Sequence, residues 1–289
     1  MFDGFFEKLE EWLIEALRSV IEYVLGLTYD LFEHGINIVR DNVVETPTEF
    51  SPQIVETLRT LSDTAILPIA GLLITYAFCY EIYDMVVDSN KGGEFEAENL
   101  FKAFMKTAFT ILLVTNSFDI TLAFFDLGKW ITDQVPESAL VLPAEITENM
   151  QNEVNAIGPA IGMVGLTILV LIVTFVMTGI IYLVAWSRII TILLFISVAP
   201  LPFSTLFYKD WIANIGQNYI KQLIALMLQG FFMLVCLVVY AGLLNKTTEL
   251  MLAESRPIFG LLLLLVSMGI LTITLTRTHA LAKSVVGVN

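Results

Sequence analysis

Ser187-Arg188-Ile189-Ile190-Thr191-Ile192-Leu193-Leu194-Phe195-Ile196-Ser197-Val198-Ala199-Pro200-Leu201-Pro202-Phe203 decides how this chain is read. It begins as an apolar membrane helix and meets two prolines at spacing two. A proline inside a helix removes a backbone donor and its ring clashes with the preceding turn, so the pair ends or sharply bends the helix. In hydrocarbon the freed carbonyls find no water. Non-helical backbone persists at that depth only where protein buries it or a wet cavity lies beside it. A polar-striped helix, Trp211 to Cys236, follows at once. The segment therefore belongs to packed machinery and not to a simple anchor.

Outward from this break the chain is apolar almost throughout. Hydrophobic residues make up 56% and charged residues 15%, and no window between 64 and 280 alternates like a soluble domain, so the chain reads as an all-α polytopic membrane protein. Stretches of about 20 apolar residues, enough to cross about 30 Å of hydrocarbon, fall near 64–87, 104–128, 160–185, 188–208, 219–244 and 257–276. The fourth reads as a full span, a re-entrant hairpin or two half-helices. Five or six transmembrane helices are expected.

Ahead of them, residues 2–24 place Phe2, Phe5, Phe6, Leu9, Trp12, Leu13, Ala16, Leu17, Val20, Ile21 and Val24 at three- and four-residue spacing. Asp3, Glu7, Glu10, Glu11, Glu15 and Glu22 lie opposite, with only Lys8 and Arg18 among them. This is an amphipathic helix. A helix that clings to anionic lipid is rich in Lys and Arg on its polar face, so docking against protein is favoured over lipid, the plainer alternative being a helix lying flat on its own bundle. A second helical pattern runs from about Leu25 to Val39, and Thr46-Pro47 and Ser51-Pro52 mark a loop and a new helix start. The expected organisation is 1–63 as acidic extracytoplasmic helices and 64–289 as the transmembrane bundle.

The net charge of −14 is unevenly placed. Residues 1–63 hold thirteen acidic and four basic side chains, and the loop at about 129–159 holds five acids against Lys129. The short 88–106 connection carries Lys91, Lys102 and Lys106, which the positive-inside tendency puts in the cytoplasm. A multi-pass protein of the cell membrane with its N-terminus and the 129–159 loop outside follows. A strict six-span count puts Lys209, Lys221, Arg277 and Lys283 outside too, against the same tendency.

Polar side chains at membrane depth by default face the bundle interior or a cavity. Glu81 and Asp84 share a face near a helix end, where solvation explains them equally well. Asn116, Asp119 and Asp126 are candidates for a translocation path, although Thr115-Asn116-Ser117 also reads as a kink whose polar groups satisfy each other and the backbone. The clearest pattern is Asn214, Asn218, Gln222 and Gln229, which fall in a narrow sector of one helix. These amides are either interhelical hydrogen-bond glue or the lining of a path for a large polar polymer, which uncharged amides hydrate without trapping.

Chemistry has little material here. His34 and His279 are isolated, and Cys79 and Cys236 sit in apolar stretches without metal-type spacing. No cofactor, metal or catalytic constellation is expected, so the protein is not read as an enzyme.

Leu67-Pro68-Ile69-Ala70-Gly71 leading to Cys79-Tyr80-Glu81, Lys106-Thr107 leading to Leu113-Val114-Thr115-Asn116 and Phe125-Asp126, Ser187-Arg188 leading to Ala199-Pro200-Leu201-Pro202-Phe203, and Trp211 with Ile215-Gly216-Gln217-Asn218-Tyr219 and Gln229-Gly230-Phe231 occur in that order. Together they resemble TrbL-type conjugal transfer proteins, which are similar to the sixth VirB component of type IV secretion systems, in the version found on Gram-positive conjugative elements. The resemblance covers roughly residues 60–240. It implies a cytoplasmic-membrane channel or scaffold subunit that forms a homo-oligomer and helps single-stranded DNA with its relaxase leave the cell. Its implied partners are secretion ATPases, membrane scaffold proteins, the DNA–relaxase complex and membrane lipid.

The chain lacks a phosphate-loop motif, so the energy comes from elsewhere. DNA binding would call for a basic face. Because the outward segments are acidic, any DNA contact is expected in the bundle interior or near Lys91, Lys102, Lys106 and Arg188. The alternative is a stand-alone secondary transporter using Asp119 or Glu81 as a proton or cation site. Such transporters carry inverted repeats with broken helices in matching positions, and the break at Pro200 and Pro202 has no counterpart in the first half.

Overall fold

The computed structural model describes residues 3–90, 97–134, 157–208, 210–254 and 257–288, almost entirely helical, with no strand among them. Lys91, Pro136, Pro143 and most of the 129–159 loop lie outside the described residues. The helices are α1 (Asp3–Val44), α2 (Pro47–Phe50), α3 (Pro52–Leu61), α4 (Leu67–Asn90), α5 (Ala97–Thr115), α6 (Ser117–Thr132), α7 (Ile157–Ser197), α8 (Pro200–Phe203), α9 (Asp210–Glu254) and α10 (Pro257–Val286). Among the described residues, four stretches are long and apolar enough to span a membrane: Pro52–Val87, Ala160–Ser197, Ala213–Thr247 and Phe259–Val286. The bent pair Glu98–Thr115 and Ser117–Thr132 makes a fifth if it counts as one span.

Three boundaries differ from the sequence expectation, each for a local reason. The two N-terminal patterns are one 42-residue helix, because nothing between Asp3 and Val44 breaks it. It stops before Thr46-Pro47, where Thr46 forms a reciprocal capping box. The Glu49 amide donates to Thr46 Oγ1 (3.3 Å), and the Thr46 amide donates to Glu49 Oε2 (2.9 Å). Second, the first span does not begin after Asp63. Helix α3, started by Pro52 with Ser51 as its cap, runs through a π-turn at Ser62–Ile66 straight into α4. There the Leu67 amide reaches back five residues to the Ser62 carbonyl, an adjustment that accommodates Pro68, which has no N–H to continue the regular pattern.

Third, 188–208 is not a span of its own. Ser187 and Arg188 sit inside an unbroken α7 of 41 residues, and the helix ends only where the prolines remove its donors. The expected five or six crossings are therefore four or five among the described residues.

The chain divides into two compact units. The first takes the described residues of Met1–Val44, Thr132–Trp186 and Phe231–Thr278. In its core Phe32, Ile36, Val39 and Val43 of α1 interlock with Ile181 and Ala185 of α7, Met233 to Leu244 of α9 and Leu264 to Leu275 of α10. Helix α1 is thus part of its own bundle from Ile21 onward, whereas Leu9, Trp12, Leu13 and Val20 remain exposed. Gly35 lets α1 close on α7, since a Cβ there would lie 2.9 Å from Thr178 Cγ2. Small residues at such crossings are how helices pack in lipid, where apolar burial alone drives nothing.

The second unit takes the described residues of Glu45–Ile131, Ser187–Gly230 and His279–Asn289. Val55, Ala70, Ile74, Val114, Phe118, Leu122 and Phe125 pack there around Ile189 to Ala199, Phe203 and the α9 side chains Tyr219, Leu223 and Leu226. This unit holds the proline break.

Candidate functional site

Between α7 and α9 the backbone changes from α-helical to three-residue hydrogen bonding. The Ala199 amide donates to Ile196 O (3.3 Å), Leu201 to Val198 O (3.2 Å), Thr205 to Pro202 O (3.1 Å), Leu206 to Phe203 O (3.4 Å) and Tyr208 to Thr205 O (3.4 Å). Two four-residue bonds survive, Phe203 to Ala199 O and Ser204 to Pro200 O. Side chains add to them: Ser197 Oγ donates to Leu194 O, Ser204 Oγ to Leu201 O and Thr205 Oγ1 to Pro202 O. Because Ala199 has switched to Ile196, the carbonyl of Phe195 loses its regular partner. The Tyr219 hydroxyl of α9 donates to it at 2.7 Å. The same tyrosine stacks on Phe195 (centroids 5.5 Å) and meets Phe203 edge-on (5.9 Å).

Pro200 and Pro202 are both buried, and α8 packs against α4, α5 and the π-turn. Helix α9 approaches so closely at Gly216 that a Cβ there would lie 2.6 Å from the Pro202 carbonyl oxygen and 2.9 Å from Leu206 Cγ. Beyond the break Tyr208 donates to Ile74 O (3.4 Å), Phe207 meets Phe109 edge-on (5.3 Å), and the Lys106 ammonium lies 4.7 Å above the Tyr208 ring. That ammonium also contacts both Glu81 oxygens at 2.8 Å. The break is thus a covered, hydrogen-bonded wedge, held from three sides.

The amides of α9 separate by position. Asn214 and Asn218 are exposed, Gln222 is half-buried, and Gln229 is buried, with Oε1 3.2 Å from His279 Nδ1. Its deep end meets another helix, and its N-terminal end is open.

At Asn116 the α5–α6 pair bends by 64°. Asn116 Nδ2 donates to Leu112 O (2.7 Å), Thr115 Oγ1 to Ile111 O (3.0 Å) and Ser117 Oγ to Val114 O (2.8 Å), so the polar groups of the kink are taken up by the preceding turn. Asp119, just beyond, is held by a two-armed guanidinium contact from Arg59, which also lies 4.7 Å over the Phe118 ring. Asp126 is exposed.

Of the candidate cations, Lys102 pairs with Glu98 one turn away (2.7 Å), Lys106 is matched by Glu81, and Arg188 is buried with 8% of its surface exposed. The structure brings Pro200, Pro202 and the start of the amide helix together with Lys106. Asn116, Asp119 and Asp126 lie on the neighbouring α5–α6 pair.

Arg59, Tyr208, Gly216 and Tyr219 carry contacts that the sequence does not announce. Gly216 had one usable signal, a glycine inside an amide stripe immediately after a proline break, since such glycines often mark close approach. Arg59 and Asp119 are 60 residues apart, and no local pattern links them.

A family model described as TrbL/VirB6 plasmid conjugal transfer like protein matches residues 33–200. No curated protein and no solved structure matches the chain.

Proposed function

Because the chain belongs to the TrbL/VirB6 family of plasmid conjugal transfer proteins, we propose that this multi-pass membrane component of conjugation is a channel and scaffold subunit of a type IV secretion machine. It works as a homo-oligomer beside the ATPases and membrane scaffold proteins, and helps single-stranded DNA with its relaxase cross the cytoplasmic membrane. The observation that carries this reading is the family match, which runs from within α1 to Pro200 and so takes in the α5–α6 bend and the entry to the proline break. The covered wedge at Pro200 and Pro202 supports a shaped wall in a conduit, with Asn218, Gln222 and Gln229 as its amide side.

The carboxylates on which a stand-alone transporter would depend are already ion-paired, Asp119 with Arg59 and Glu81 with Lys106. A site that binds and releases a proton or cation needs a carboxylate freer than these.

The orientation gains support from the reduced number of helices. With five crossings the connections alternate: acidic residues dominate 1–51 and 133–159, and Lys91, Lys209, Lys221, Arg277 and Lys283 come to the opposite side. The conflict of the six-crossing count over Lys209, Lys221, Arg277 and Lys283 disappears, while Lys246 and Arg256 come outside beside Glu249 and Glu254. We place the N-terminus outside and the C-terminus in the cytoplasm.

Deleting the protein from a donor cell should abolish plasmid transfer, and supplying the full chain in trans should restore it. Transfer at the normal frequency from the deletion strain would contradict the assignment.

A further inference from the structure

The buried side of α1 is only one of its two seams. Leu9, Leu13, Ala16, Val20, Tyr23 and Leu27 follow one another at alternating steps of four and three residues, the 3.5-residue repeat with which one helix receives another. All but the half-buried Ala16 are exposed, and Tyr23 is the most open at 72%. Leu17, Ile21 and Leu25, a step round the helix, pack instead against Ala160 and Met163 of α7 and Leu261 of α10. The exposed seam is therefore a second apolar face, left uncovered among the described residues.

The same repeat runs on without a change of step into Asp30, His34, Asn37 and Asp41, of which all but the half-exposed Asn37 are open to solvent. At 1.5 Å per residue the stripe is apolar for about 27 Å and acidic for the next 17 Å or so, about 16.5 Å from Asp30 to Asp41. Arg40 meets Asp41 at 3.3 Å from the same helix, with both side chains open to solvent, a contact worth little. In the orientation proposed above α1 lies outside the membrane, so the apolar half meets water and not lipid, and exposed apolar surface of that length marks a contact. The acidic half says what covers it. A parallel second copy would set Asp30 against Asp30 and Asp41 against Asp41. An antiparallel copy in register would bring Asp41 opposite Leu9 and Asp30 opposite Val20, carboxylates buried among apolar groups without a cation. Self-pairing is unfavourable in both directions.

We infer that this stripe is a docking track for one helix of another protein, apolar along Leu9 to Leu27 and bearing lysine or arginine opposite Asp30 to Asp41. Opposite charge then fixes the register that the apolar half alone leaves free. The inference rests on the orientation proposed above, and not on the identity of the cargo.

The test uses the purified full chain in detergent and two synthetic amphipathic helices of about 35 residues, long enough to run from Leu9 to Asp41. They share one leucine seam and differ only at the end that faces Asp30 to Asp41, lysine in one and glutamate in the other. The lysine helix should bind at least about tenfold more tightly by fluorescence anisotropy, as matched over mismatched charge requires. Asp30→Asn with Asp41→Asn, which keeps side-chain size, should erase that preference. Val20→Glu with Leu27→Glu should weaken the lysine helix at least about tenfold, since it places carboxylates in the seam. Equal binding of the two helices by the unaltered chain would overturn the inference. So would a preference that survives the asparagine variant, which would reflect the overall negative charge, or undiminished binding to the glutamate variant, which would reflect the detergent. If the glutamate variant fails to fold, the asparagine variant decides alone. In donor-cell membranes, with Cys79 and Cys236 replaced by alanine, disulfide formation between two Val20→Cys or two Leu27→Cys chains would assign the stripe to a second copy and overturn the inference. No DNA enters the binding assay, so its failure is distinguishable from failure of the transfer role.

Discussion

At the scale of single residues, the break is held by a few atoms whose removal has computable consequences. Gly216→Ala should gain slightly from helix propensity, by about 1 kcal/mol, yet the new Cβ would meet the Pro202 carbonyl at 2.6 Å, and backbone cannot swing aside as a flexible side chain can. A net loss of about 1–3 kcal/mol, the usual cost of overpacking, should appear as a lower Tm in detergent. Tyr219→Phe keeps both ring contacts and removes the donor to Phe195 O. Stranding that carbonyl should cost about 1–3 kcal/mol, measured by the same melt, and an unchanged Tm would show that the carbonyl has another partner. Glu49 provides the pH test. Its hydrogen bond from Lys129, then that from Thr46, hold its carboxyl down from 4.5 to about 2. A depressed acid stabilises fully above its unfolded value, so the contribution is present above about pH 4.5 and disappears as pH falls through about 2. At this exposure it amounts to about 0.2–1 kcal/mol, and Glu49→Gln should flatten the acid limb of the stability curve by that amount. Little of this residue-scale detail was legible beforehand. The amide stripe and the kink at Asn116 were visible from spacing, but hydrogen bonds between Tyr219 and Phe195 or Arg59 and Asp119 depend on helix packing that no local pattern encodes.

Among the elements, the proline break is where sequence and structure agree most closely on cause and differ on extent. Two prolines were expected to stop a helix, and they do. Hydropathy, however, registers apolar length without registering continuity, so one 41-residue helix looked like two spans. The amphipathic N-terminus shows a related limit: its period was plain, but which protein surface it meets is a tertiary property, and its buried stripe turned out to be core of the same chain. Replacing both Pro200 and Pro202 by alanine restores two donors and should extend α7. Insertion into the membrane should persist and DNA transfer should fall, whereas normal mating frequency at normal protein level would show the break to be dispensable. Gln229→Leu should remove the contact to His279 and cost about 0.6–2 kcal/mol, the range for interhelical polar contacts in membranes. Gln222→Leu should leave the oligomer intact on native gels if that amide lines a path.

At the scale of the whole molecule, a helical chain with four or five candidate spans among its described residues belongs to a conjugal transfer family. Its fold class was legible because apolar length and the shortage of charge dominate the composition, whereas the number of crossings needed the continuity of α7 and the bend at Asn116. Reporter fusions after Ser89 and Ser284 should both give a cytoplasmic signal and one at Ser138 an external signal. Opposite signals from Ser89 and Ser284 would restore an even number of crossings. The most direct test of the central claim is formaldehyde crosslinking during mating, followed by precipitation of this protein and detection of the transferred strand. The account predicts that the strand is recovered with the wild-type chain and that the yield falls when Lys91, Lys102, Lys106 and Arg188 are replaced together by neutral residues. Failure to recover the strand with the wild-type chain, from cells in which it is recovered with other subunits of the machine, would contradict it.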